Sequence, residues 1–170
     1  MNVKFLLATL CVGFFTATAL AQTSATPRFE DYPAPVYKGR PATLKLNGSK
    51  EARNFRTQLR EGAKQGVNFA GHYTVASWGC GTACLQVALI DAKTGAVFFP
   101  EELNGFGVWF WDNNDEALRF KPNSRLLVMS GFPASEGNKG EPKSGLYYFE
   151  WTGRRLKLLK LVEKKRERGR

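Results

Sequence analysis

Histidine is all but missing from this 170-residue chain: His72 is the only one. Cysteine is nearly as scarce, at Cys11, Cys80 and Cys84. Any nucleophile with a histidine base must therefore use His72, and a closed four-ligand zinc site would need a carboxylate that no motif names. No metal site is read, and no cofactor is implied. The chain has no glycine-rich phosphate loop, no Gly-x-Ser-x-Gly and no His-Glu-x-x-His. Those absences remove the usual nucleotide-binding, serine-hydrolase and zinc-protease readings. No apolar run reaches the ~20 residues that a membrane-spanning helix needs.

What the start of the chain does hold is an address. Met1–Ala21 has a short polar start with Lys4, an apolar run from Phe5 to Phe15, and Ala19-Leu20-Ala21 before Gln22. That is the pattern of a secretory signal peptide, cut after Ala21. Ala8-Thr9-Leu10 ahead of Cys11 is a poor lipidation box. Cys11 is then lost with the leader, and Cys80 and Cys84 remain. The expected location is the periplasm or the outside.

About 149 residues remain after such a cut, enough for one domain with a real core. With 13 Phe, 4 Trp, 5 Tyr and 17 Gly, the composition favours sheet over helical bundle. The formal net charge is +10. Most of it is C-terminal: Arg154–Arg170 carries nine Lys/Arg against two Glu, leaving the rest close to balanced. Such a balance points to an anionic partner. Export argues against nucleic acid.

Residues 22–48 read as an extended arm, because Pro33, Pro35 and Pro41 fix φ and remove donors. Phe29, Tyr32, Val36 and Tyr37 suggest that the arm lies across the domain, and Thr43–Leu46 is read as a short edge strand. A single domain is expected over residues 49–162. Ser49 is the expected N-cap of a helix over Lys50–Gln65, with Gly66 as its stop. Ala52, Phe55, Leu59 and Ala63 form its apolar stripe. Arg53, Arg56, Arg60 and Lys64 lie off that stripe and form a basic face, read either as solvated or as anion-binding. From Phe69 on the period is two. Strands are expected at Phe69–Trp78, Leu85–Asp91, Ala96–Phe99, Ala117–Lys121, Leu126–Ser130, Leu146–Trp151 and Leu156–Val162. Ala92–Gly95 is a hairpin turn, Glu101–Gly107 a loop, Asp112–Glu116 a polar turn and not a calcium loop. Phe132–Gly145 is a loop, and residues 163–170 are a basic, frayed tail. The fold class is α+β: mainly an antiparallel meander of six to eight strands, as a curved sheet, sandwich or open barrel, with one N-terminal amphipathic helix. The phrase Phe120-Lys-Pro-Asn-Ser-Arg-Leu-Leu-Val is similar to the turn-and-strand phrase of propeller blades. It occurs once, and blades of ~40 residues leave no room for a closed propeller.

The densest stretch is Asn68-Phe-Ala-Gly-His-Tyr through Trp78-Gly-Cys-Gly-Thr-Ala-Cys84. In an oxidising compartment a Cys80–Cys84 disulfide is the default, pinning the turn and holding Trp78 in place. A thiol nucleophile is the sharper alternative. It is hampered because His72 and Cys80 lie about 26 Å apart along a straight strand at ~3.3 Å per residue. A redox pair is disfavoured by three intervening residues where two are typical. His72 reads as a satisfied core or edge residue, or else as part of a polar recognition spot with Asn68, Tyr73 and Trp78.

Phe29-Glu-Asp-Tyr-Pro, Asn68-Phe-Ala-Gly-His-Tyr, Trp78-Gly-Cys-Gly-Thr-Ala-Cys and Ser124-Arg-Leu-Leu-Val together resemble a family of small secreted hypothetical proteins of Gram-negative bacteria. The resemblance implies an exported location and a shared core, and carries no activity with it. Two functions stay open. One is a non-enzymatic binding or interaction module for an anionic envelope component or an acidic protein. The other is a thiol- or histidine-dependent envelope enzyme using Cys80 or His72.

Overall fold

The computed structural model describes residues 25–112, 116–137 and 140–165. The leader, part of the Asp112–Glu116 turn and the last five tail residues lie outside these. The described residues form one antiparallel eight-stranded sheet, with two short helices within residues 50–63 packed on its outer side. The strands are β1 Tyr73–Gly81, β2 Cys84–Asp91, β3 Val97–Phe98, β4 Asn104–Val108, β5 Leu118–Phe120, β6 Leu126–Phe132, β7 Gly145–Trp151 and β8 Leu156–Glu163. Along the sheet the order is β1-β2-β4-β6-β7-β8, with β3 paired to β2 and β5 to β6. The expected α+β class, mainly β, is what the chain adopts.

Alternation along the strands separates two faces. Tyr73 and Val75, Val87 and Leu89, Phe106, Leu127 and Met129, and Tyr147, Phe149 and Trp151 share the inner core. The sheet curves until β1 and β7 face each other across that core: the Tyr73 ring lies 5.4 Å from that of Trp151, edge to face. On the outer side, Ala76, Ala88 and Ile90 receive the helices. Further along, Leu126, Val128 and Tyr148 are covered by Phe29 and Tyr32 of the arm. The arm is held by its backbone, with Ala34 N–H on the Asn123 carbonyl (2.9 Å) and Tyr37 N–H on that of Gly71 (2.6 Å).

The structure corrects several boundaries. The expected single helix is two pieces, α1 Lys50–Asn54 and α2 Arg56–Ala63, broken where Phe55 leaves helical geometry at φ −100°, ψ 24°. The Ser49 cap is present, its Oγ accepting from Ala52 N–H at 3.0 Å, and Gly66 takes φ 71°. The first strand starts at Tyr73 and not at Phe69, because Ala70 (φ 45°) and Gly71 (φ 83°) turn the chain sharply before it. Thr43–Leu46 forms no strand, although Ala42 and Lys45 donate to the carbonyls of Ala92 and Gly95. Glu101–Gly107 is not a loop: a 3-10 turn over Glu101–Leu103 leads into β4. The Phe132–Gly145 segment carries a helical turn, α3 Ala134–Gly137. Glu163 and Lys164, expected in a frayed tail, are part of the fold. Glu163 pairs with Gly145 in the sheet, and Lys164 N–H donates to the Ser144 carbonyl at 2.8 Å.

Candidate functional site

Of the four residues read as a recognition spot, three are spent inside the fold. Asn68 is half-buried beside the free edge of β1. Its Oδ1 accepts from Val75 N–H at 2.7 Å, and its Nδ2 donates to the Val75 carbonyl at 3.4 Å. One side-chain amide thus stands in for a neighbouring strand residue. Tyr73 is 6% exposed and belongs to the inner core. Trp78 points to the other face and packs against Phe55, ring centres 5.0 Å apart. Neighbours in a strand diverge because the pleat alternates, so the stretch does not gather these groups at one point.

His72 precedes β1, with its side chain 27% exposed, and its ring lies tilted against that of Tyr73, centres 4.3 Å apart. Its Nε2 lies 3.9 Å from Asp91 Oδ1. That is not a working ion pair. Asp91 is committed to its own turn, accepting from Lys93 N–H at 2.8 Å and the Thr94 hydroxyl at 2.7 Å. Burial pushes the imidazole pKa below its ordinary value, Lys93 adds to this, and Asp91 opposes it more weakly. The ring is therefore neutral near pH 7 and sits at the far end of β1 from the cysteines.

Cys80 and Cys84 are joined in a disulfide, with Cα atoms 5.1 Å apart. It crosses the exposed tip of the β1–β2 hairpin, and Ala83 is held there in a positive-φ conformation (51°). Neither sulfur is a free thiol. Beside the tip runs the apolar and aromatic chain at the end of β4. The Ala83 carbonyl accepts from Val108 N–H at 2.8 Å, and Cys84 faces Gly107 in the ladder. The chain then runs on through Trp109, Phe110 and Trp111. Ser130 fixes its start, donating from Oγ to the Trp109 carbonyl at 2.8 Å. Phe110 is left 52% exposed between the two half-buried tryptophans. The C-terminal segment arrives at the same place. Trp111 Nε1 donates to the Lys165 carbonyl at 3.1 Å, and Lys164 Nζ lies 5.6 Å from the centre of the Trp111 ring. A disulfide-pinned tip, an exposed aromatic run and a cationic segment thus adjoin. The signal in the sequence is the run Val-Trp-Phe-Trp, three adjacent rings followed directly by the charged Asp112.

The basic helix face is where the stripe predicts it, turned away from the buried Ala52 and Leu59. Lys64 is neutralised by Glu61 at 2.8 Å. Arg53 and Arg56 each donate to a backbone carbonyl, of Asn47 and Arg53 respectively. Among the described residues no carboxylate pairs with Arg53, Arg56 or Arg60. Also among the described residues, no group of three His, Cys, Asp or Glu could hold a metal ion, and no helix is long and apolar enough to cross a membrane.

A second feature was invisible in the sequence because it arises from strand pairing. β2 changes partner along its length, facing β4 at Cys84–Gln86 and β3 at Leu89–Ile90. The splay leaves an open cleft of about 410 Å³ between β3, α1 and the turn joining β7 to β8, lined by Glu51, Phe98, Phe99, Asn104 and Arg154 among others. Gln86 is buried at the splay and donates from Nε2 to Asn104 Oδ1 at 2.6 Å.

No family model, no curated protein and no solved structure matches this chain. The functional reading rests on the molecule alone.

Proposed function

We propose that this chain is an exported binding module that engages an anionic component of the bacterial envelope, and that it is not an enzyme. One observation carries the reading: the surface on which Phe110 stands exposed beside the disulfide tip, with Lys164 over Trp111. Exposed aromatic rings with cations at their faces suit a ligand that is apolar in part and negative in part. Asp112 and Glu163 adjoin this surface in the chain, so the aromatic contact supplies much of the affinity and the cations add to it. The guanidiniums of Arg53, Arg56 and Arg60 give a second positive area that speeds encounter with a negative partner. The leader-like Met1–Ala21 and the bonded cysteines favour an oxidising compartment.

The competing reading, an enzyme on Cys80 or His72, has less support. The sulfurs are bonded to each other, and the carboxylate nearest the imidazole is already satisfied. The test is co-sedimentation of the mature chain with lipopolysaccharide, anionic phospholipid vesicles and peptidoglycan, at low and high salt. Retention by at least one of these is expected, weakened by salt and reduced about tenfold or more by Phe110→Ser. If none retains the chain, or if Phe110→Ser binds like the parent, the reading fails. A single reactive thiol of low pKa in the unreduced protein would restore the enzyme.

A further inference from the structure

The cleft at the splay of β2 is built for a ligand of a different kind, and it shares no residue with the Phe110 surface. Its floor is a pair of adjacent rings that face opposite ways. Phe98 packs inward against Tyr73 and Trp151 at 6.3 and 5.6 Å, and Phe99 packs outward against Phe55 at 6.2 Å. Both residues remain half-buried and line the cleft. They are fixed from behind, so they offer a preformed apolar platform.

The walls carry opposite charges that do not meet. Glu51 comes from the first turn of α1, Arg154 from the turn after β7, and no ion pair joins them. Glu51 is fixed as an anion: its own backbone N–H, and then the Ser49 hydroxyl, hold its carboxyl below the usual range. Asn104 has its oxygen occupied by Gln86, so its amide NH2 is the group left to donate. The polar inventory of the lining is thus one carboxylate, one guanidinium and one amide donor.

We infer that this cleft binds a short peptide with free termini and apolar side chains. Its ammonium would face Glu51, its carboxylate Arg154 and the Asn104 NH2, and its side chains the Phe98–Phe99 platform. The alternatives fit less well. A phosphate or other simple anion would meet Glu51 with like charge, a simple cation would meet Arg154, and a neutral sugar would leave both charges without a partner. A volume of about 410 Å³ is within the range of small-ligand sites.

The experiment is calorimetric titration of the mature chain with the dipeptide Leu-Phe, its N-acetyl form and its C-terminal amide. The free dipeptide should bind, and each blocked form should bind about fivefold more weakly. Glu51→Gln should lower affinity for the free dipeptide but not for the acetylated one. Arg154→Gln should do the same for the free form against the amide. Both side chains are exposed, so the variants should keep the parent melting temperature. Amide NMR shifts in Phe98, Phe99 and Asn104 on titration would place the ligand. Absence of binding at millimolar dipeptide, equal affinity of the blocked forms, or insensitivity to both substitutions overturns the inference. Phe110→Ser should bind the dipeptide like the parent, so failure here and failure of the envelope-binding reading are separate results.

Discussion

A neutral imidazole lies partly buried against Tyr73, with Lys93 on one side and an Asp91 carboxylate already committed to its own turn. Its effect on stability has a definite sign. The folded pKa is depressed below the ordinary histidine value of 6.5, so the unfolded chain takes up a proton that the folded chain resists. The contribution is complete above that value and is lost as pH falls through the lower, folded one. Urea unfolding between about pH 8 and about pH 5 should therefore show a steeper loss for the parent than for His72→Gln. Parallel profiles would mean that the ring is fully solvated. Individual roles along this stretch were only partly legible. Asn68, His72, Tyr73 and Trp78 stand out together in the sequence because they are the polar and aromatic residues of one dense segment. Their fates diverge: a strand edge, a partly buried ring contact, the inner core, and the underside of a helix. The disulfide was legible because two cysteines so close in the chain can bridge through a local turn.

At the scale of elements, α2 lies closest to the sheet at Gly62. A Cβ built on that residue would fall 2.3 Å from the Ala76 Cβ. In a free helix, Gly→Ala gains roughly 0.5–1 kcal/mol. Here the added methyl must push α2 off β1, and Gly62→Ala should instead destabilise by about 1–3 kcal/mol in urea unfolding. Ala76→Gly in the same chain should recover part of that loss. A more stable Gly62→Ala would mean that α2 stands further from β1. The helix, its stripe, its Ser49 cap and its Gly66 stop were readable because each depends on residues a turn apart. β4 was misread because Gly105 and Gly107 look like loop. Gly107 serves close packing instead, since a Cβ there would run into the Phe132 ring, and Gly105 takes a positive φ of 78° inside the strand. The order of strands, with β4 between β2 and β6, depends on pairings that no local pattern carries. The splay and its cleft were hidden for the same reason.

For the whole molecule, the question is how far the folded body reaches into the basic C-terminal segment. Composition alone places that limit at Val162, since residues 163–170 hold no apolar pattern. The bonds place it later. Glu163 completes the β7–β8 ladder, Lys164 donates to Ser144, and the Lys165 carbonyl holds the Trp111 indole. Two truncations separate these limits. A chain ending at Lys165 keeps all three contacts, whereas one ending at Val162 loses them and frees Trp111. Relative to the chain ending at Lys165, the shorter one should melt roughly 3–8 °C lower, from about 1–2 kcal/mol of lost hydrogen bonding. Its tryptophan emission should also shift, because an indole N–H and ring that were capped by Lys165 and Lys164 would face water. Equal melting temperatures with equal emission would show that the C-terminal segment does not dock on Trp111. The aromatic run would then lose its cationic neighbour, and anionic affinity would have to come from Arg53, Arg56 and Arg60 alone.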